Sequence, residues 1–462
     1  MIGDPVDHPQ YGRGRILEVY RNGTEWLVRF DNGLRFRRPR DEFAGMGATP
    51  LPAHAVAFTH APPMPHSQFE ARRLLEALRV GVAPLSHVRE LTIGLEAERA
   101  SLAGGLNRAL EQGGDARAVI GEYGFGKSHF VQLAAEEALA RRFLVATVGL
   151  DIVELPAHKP FDIYAALMRS LRYPDHNERD LGGLLEAAAT PQVAGQLRER
   201  APVDNDPLAV ALGVLADTGA VGRRRRNAWQ EWLMGAKKVK GMAKALPRGT
   251  KMPVLYTIGN NERQIAYLLT AVSVLARLAN YSGLAVLIDE AESYSLLRAD
   301  QRAKAGTFFR AVIYTALGDA QARISLESLP QHRYSDYPPR FGPGQSLFFL
   351  FTLTHSDNQM PLEEWLDPSN ILALNPHTSP QEIGQFLPLV QAYHARAFGY
   401  EPGERQAQVR RAATELLADG ARRNRLSIRG VVRLAVELFD LLYLYPDYDV
   451  PTLLDELRQQ LR

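Results

Sequence analysis

Residues 121–128 read Gly-Glu-Tyr-Gly-Phe-Gly-Lys-Ser, a complete G-x-x-x-x-G-K-[ST] phosphate-binding loop, and a chain carrying one is held to a narrow set of folds. Such a loop works only between a strand and a helix. Both flanks are present. Residues 116–120 are a short apolar run fit for a buried strand, and His129 to Arg142 holds helix formers with apolar Phe130, Leu133, Ala134 and Leu139. Gly121, Gly124 and Gly126 allow the backbone to curl so that successive N–H groups face an anion, and the helix that follows adds its positive end. The candidate nucleotide-binding set is Gly121, Glu122, Tyr123, Gly124, Phe125, Gly126, Lys127, Ser128 and His129. Lys127 is expected on the β- and γ-phosphates of ATP and the Ser128 hydroxyl on Mg²⁺.

At 462 residues the chain is too long for one core. No apolar run is long enough to span a bilayer and the N-terminus lacks the pattern of a signal peptide, so no membrane role is expected. Cysteine is absent, which excludes disulfides, thiolate zinc sites and a thiol nucleophile, and is compatible with the cytoplasm. The twelve histidines are scattered without ligand-like spacing.

Residues 5–43 contain strand-like runs at Gly14–Tyr20, Glu25–Phe30 and Leu34–Arg37, parted by Asn22-Gly23 and Asp31-Asn32-Gly33. That is hairpin punctuation, and a small SH3-type sheet or barrel fits the length of residues 1–48. A proline-rich linker, 49–66, follows. From Ser67 a helix is expected, with Phe69, Leu74, Leu75 and Leu78 on one face, and a second at about 96–112. After the loop helix, residues 143–150 read as a strand ending at Asp151. A long helix, about 261–281, delivers Gly283-Leu284-Ala285-Val286-Leu287-Ile288-Asp289-Glu290. Further strands are expected at 346–353 and 371–374. From Pro380 onward the pattern is helical.

An apolar strand ending in Asp-Glu is the expected partner of a phosphate loop. Asp289 is placed to hold Mg²⁺, and Glu290 to orient and deprotonate the water that attacks the γ-phosphate. The order of strands and the all-helical tail resemble the AAA+ ATPase core and its lid. The fold expected is therefore α/β, with a five-stranded parallel sheet in residues 67–375 and a helical lid in 376–462. That resemblance implies a polar sensor at Thr352 or Thr354, a second sensor at Arg429 and an adenine-wrapping segment with Ile93 and Gly94. It also implies a homo-oligomer in which a neighbour supplies an arginine, with Arg323, Arg333 and Arg340 as candidates.

Three segments taken together resemble the ATP-binding protein family of BREX anti-phage systems, related to origin-recognition AAA+ ATPases. They are residues 70–82, the loop with its flanks (Ile120 to Phe130), and Asn424-Arg425-Leu426-Ser427-Ile428-Arg429-Gly430. The resemblance covers about residues 67–445 and implies an ATPase of DNA defence or DNA processing. No winged-helix domain follows the lid, so DNA contact is expected elsewhere. At the other end, Val6 to Ile16 and Val28 to Gly33 resemble Tudor or SH3-like modules of bacterial helicases and RNA polymerase-binding regulators. A protein partner, a helicase among the options, is implied there.

The segment 221–251 carries ten basic residues and one acid, Glu231. It holds +9 while the whole chain holds +2, so the remainder is at −7. Arg223, Arg224, Arg225, Arg226, Lys237, Lys238 and Lys240 are the candidates for sequence-independent contact with a DNA backbone. Trp229 and Trp232, interleaved with them, could stack on a base or pack in the core. Three functions follow: a DNA-linked ATPase that loads or remodels a partner enzyme, an ATP-dependent assembly switch with little turnover, or a transcriptional or signalling ATPase that senses a ligand. The general base at Glu290 and the basic segment favour the first, with the switch as its alternative.

Overall fold

A computed structural model describes residues 2–8, 11–31, 33–43, 64–83, 87–217, 223–236, 242, 246, 251–255, 262–331, 337–355, 359–374, 379–423 and 426–460. The chain divides into two compact units, Met1–Met64 and Pro65–Arg462.

The first unit is an antiparallel sheet in the order β1-β2-β3-β4, with β1 Pro5–His8, β2 Gly12–Tyr20, β3 Glu25–Phe30 and β4 Arg35–Pro39. Strand β1 was not expected: its four residues include a proline and two ionisable side chains. Alternation decides which face is inside. Ile16, Val28 and Phe30 are buried, and Val6, Tyr11, Trp26, Phe36 and Phe43 pack around them. Gly14 is obligatory, because a β-carbon there would lie 2.7 Å from Val28 Cγ1 and from the Arg29 carbonyl.

The second unit is built on a parallel sheet whose strands are almost wholly buried, as expected where helices cover both faces. The strands are β5 Gly114–Ile120, β6 Phe143–Gly149, β7 Gly283–Asp289, β8 Leu347–Leu353 and β9 Ile371–Ala373. Their spatial order is β6-β7-β8-β5-β9. All five expected strands are present, and every neighbouring pair is parallel. Strand β8 therefore lies between β5, which feeds the phosphate loop, and β7, which ends in Asp289. Whatever polar groups end β8 must bridge the two.

The helix His66–Val80 precedes the sheet in sequence yet packs elsewhere. Its Leu74, Leu75 and Leu78 share a core with Ile383, Leu387, Val390, Val431 and Phe439 of the C-terminal helices. Phe69, expected on that apolar face, is instead 55% exposed. The lid consists of helices Pro380–Phe398, Glu404–Arg422, Ile428–Leu444 and Val450–Gln460. Ser379 and Glu382 close a capping box at its start: Glu382 N–H donates to Ser379 Oγ at 3.2 Å, and Ser379 N–H to Glu382 Oε2 at 2.6 Å. Among the described residues no helix is long and apolar enough to cross a membrane.

Candidate functional site

The phosphate loop leaves β5 at Ile120 and enters the helix Lys127–Ala140. Gly124 (φ 83°) and Gly126 (φ 85°) are left-handed, the conformation that only glycine adopts without strain. Gly121 is not; its N–H donates to the Leu353 carbonyl at 3.1 Å and seats the loop on β8. The side chain of Lys127 is largely buried, with Nζ donating to the carbonyls of Gly121 (3.0 Å) and Glu122 (3.4 Å) and to Thr354 Oγ1 (2.6 Å).

Strand β7 brings the acids to the same place. Asp289 Oδ1 accepts from the buried Thr352 hydroxyl and, at 3.0 Å, from the Glu290 N–H. Both donors fall on Oδ1, so among the described residues Oδ2 keeps its lone pairs for a ligand. Thr354, two residues on, donates to Glu292 Oε1 at 2.8 Å, and the same oxygen lies 3.7 Å from Lys127 Nζ. The two threonines thus divide the work: Thr352 holds Asp289, and Thr354 links Lys127 to Glu292. Glu292 was missed from sequence, since an acid two residues past Asp-Glu carries no strong signal. Its Oε2 is a buried oxygen with no hydrogen-bond partner among the described residues.

Glu290 caps a 3₁₀ turn, Ala291–Leu296, with φ 57° and ψ 34°. A non-glycine residue there stores strain, a feature that collects at functional sites. Burial raises its pKa above the ordinary carboxylate value, the neighbouring Asp289 and Glu292 push it the same way, and Lys127 opposes them. The carboxyl is shifted toward holding a proton, as suits a general base.

The cavity over the loop is closed from two other directions. Leu78, Val82, Leu91 and Ile93 line it from the segment before the sheet, and Phe386, Ile428 and Val432 from the lid. Tyr123 through His129 line it from the loop, with Asp289, Glu290, Glu292 and Arg429. Gly94 is beside it rather than in it: a β-carbon there would lie 2.7 Å from the lid's Glu382 Oε1. His129 accepts no charge here; burial lowers its pKa to about 4. Thr92 Oγ1 donates to the Val88 carbonyl at 2.8 Å, so its contact with His129 Nε2, at 3.0 Å, must be donated by the imidazole.

The lid touches the loop through Arg429. Its guanidinium lies 4.8 Å over the Tyr123 ring, and Nη1 donates to the Tyr123 hydroxyl at 2.6 Å. Ser427, which caps the same helix, packs so closely that a β-carbon on Gly124 would meet it at 3.0 Å.

The remaining candidates are more dispersed. Arg340 donates to the carbonyls of Thr315 (2.9 Å) and Ala316 (3.1 Å) at a helix C-terminus, a structural use. Exposed Arg323 pairs with Asp367 at 2.9 Å, and Arg333 lies outside the described residues. Arg223 to Arg226 open the helix Arg223–Leu233, in which Arg226 is half-buried. The side chains of Arg223, Arg224 and Arg225, and all of Lys237, Lys238 and Lys240, lie outside the described residues. Trp229 and Trp232 are buried and edge-to-face at 5.3 Å, so they pack in the core and do not offer a stacking platform.

No curated protein matches the chain. Residues 67–191 match the family model described as BREX system ATP-binding protein BrxC/D. The match runs from the helix packed in the lid, through the loop, to the helix Leu181–Ala188 beyond β6. Over that stretch the chain carries an ATP-binding core similar to that of the BREX anti-phage ATP-binding proteins.

Proposed function

We propose that the chain is an AAA+ ATPase that hydrolyses ATP and acts on or near DNA, loading or remodelling a partner enzyme in anti-phage defence or DNA processing. The observation that carries the hydrolytic part is the bridge made by β8, whose Thr352 orients Asp289 while Thr354 ties Lys127 to Glu292. A site that only bound nucleotide would need Lys127 but not an oriented acid pair.

In this reading the loop N–H groups and Lys127 hold the phosphates. Mg²⁺ would be held by the Ser128 hydroxyl and Asp289, with waters and phosphate oxygens completing its shell, and would neutralise charge on the phosphates. Asp289 fits that use, since Oδ1 is fixed by two donors. Glu290 takes the proton of the attacking water, for which a raised pKa improves the match to neutral pH. Arg429, from the lid, senses the phosphate by leaving Tyr123, and the lid moves with it. The protein assembles with further copies, one of which supplies an arginine to its neighbour's site.

DNA contact is assigned to the basic segment 221–251 on its charge, +9 over 31 residues. The first unit would dock a protein partner. The test is ATP turnover with and without duplex DNA, at low and physiological salt, for the wild type and a variant with Arg223 to Arg226 replaced by glutamine. Stimulation that falls with salt and is lost in the variant is expected. Turnover indifferent to DNA would remove the DNA link. Tight ATP binding with background turnover throughout would leave an assembly switch.

A further inference from the structure

Strand register in the first unit sets three arginines side by side. Arg15 on β2 is the direct partner of Arg29 on β3, and Arg29 is the direct partner of Arg35 on β4. All three are exposed, on the face opposite to Ile16 and Val28. Like charges placed directly opposite each other destabilise a sheet. The rows on either side avoid this. Arg13 faces Asp7 at 3.7 Å, and Arg37 pairs with Glu25 at 2.6 Å. In the central row, among the described residues, Arg15 reaches only the Gly3 carbonyl, at 3.4 Å, and none of the three arginines has a carboxylate partner. A sheet selected for stability alone would have placed an acid at position 29.

We propose that this row, Arg15, Arg29 and Arg35, is a binding face for the phosphate backbone of duplex DNA, separate from the basic segment of the second unit. The row crosses two strand spacings, about 10 Å. Over that length a duplex presents roughly six phosphate charges. Guanidinium groups match phosphate oxygens with paired donors. Single-stranded nucleic acid is disfavoured, because the aromatic ring on this face, Tyr20, is covered by Arg37 at 4.2 Å and offers no platform for a base.

The test uses the full chain and a variant carrying Arg15→Gln, Arg29→Gln and Arg35→Gln, titrated against a labelled duplex over a range of salt. Each phosphate contact contributes about 0.9 to the slope of log K against log salt, so losing three flattens it by about 2.7. The single variant Arg29→Gln should lose about 0.9 of slope while its melting temperature stays level or rises, because a repulsion has been removed. Its ATP turnover without DNA should be unchanged, which verifies the second unit independently. The Arg223–Arg226 variant should lose slope additively; if it alone loses none, the DNA contact assigned to the basic segment fails while this one stands. An unchanged slope in the triple variant overturns the proposal. So does a triple variant that loses binding to poly-glutamate but retains binding to DNA, since the face would then serve an acidic protein.

Discussion

The hydroxyl of Thr352 donates to Asp289 Oδ1 from a side chain with no solvent exposure. Strand order makes this contact, because β8 lies directly beside β7 and both end at the same level. Thr352→Val keeps the shape and removes the donor. We expect ATP turnover to fall by about 10- to 100-fold, the usual cost of losing a group that orients a metal ligand. ADP affinity should stay within a few-fold. Stability should drop by about 1.5–3 kcal/mol, because a bond to a charged acceptor is lost. Turnover and calorimetric titration on the same variant check both.

Arg429 meets the loop through Tyr123. Arg429→Ala should weaken binding of a slowly hydrolysed ATP analogue by about tenfold, the loss of one charge-assisted bond. ADP should be affected much less. Tyr123→Phe keeps the ring beneath the guanidinium and should lie near the wild type. Titrations of the two variants with both nucleotides separate a lid sensor from a surface contact.

Gly124 is left-handed and lies against Ser427. Gly124→Ala introduces a strained conformation, at about 1–2 kcal/mol, and a tight contact with Ser427 that the lid helix must yield to. We expect faster proteolysis between loop and lid and weaker nucleotide binding, with the second unit still folded by circular dichroism.

His129 links the loop helix to Thr92. Its pKa, about 4 when folded, lies below the ordinary value of 6.5. Between those two values the unfolded chain binds the proton and the folded chain does not. The stability associated with the neutral imidazole is therefore fully present above pH 6.5 and is lost as the pH falls toward 4. The loss is on the order of 3 kcal/mol once the pH is below both values. His129→Gln should flatten the dependence of unfolding free energy on pH within that window, as denaturant melts would register.

Legibility in the sequence followed chemistry. The glycine loop and the Asp289-Glu290 strand end were readable because backbone curvature and paired acids leave few residue choices. The start of β5 was not, since Gly114 and Asp115 break the apolar run. The structure continues the strand through them because Arg117 Nε, at 2.8 Å, and Arg108 Nε, at 3.1 Å, pair with the buried Asp115. Ion pairs of that kind join residues without a local pattern. The same holds for Thr354, Lys127 and Glu292, which meet only once strand order is known. Trp229 and Trp232 show a choice the sequence left open: interleaving with basic residues allowed either a stacking surface or core packing, and helical spacing turned both rings into the core.

Glu290 bears a left-handed backbone as well as a shifted carboxyl. Glu290→Gly should relieve strain and raise stability by about 1 kcal/mol while abolishing turnover. Thermal unfolding set beside activity would reveal that opposition.

The most direct measurement is steady-state ATP hydrolysis by the wild type and Glu290→Gln, with ATP affinity determined for both. The account predicts a fall of about 10²- to 10⁴-fold in turnover, the range for losing a general base, with ATP binding retained. Equal turnover in the two proteins would contradict the role of Glu290, and turnover at background in both would contradict the ATPase itself.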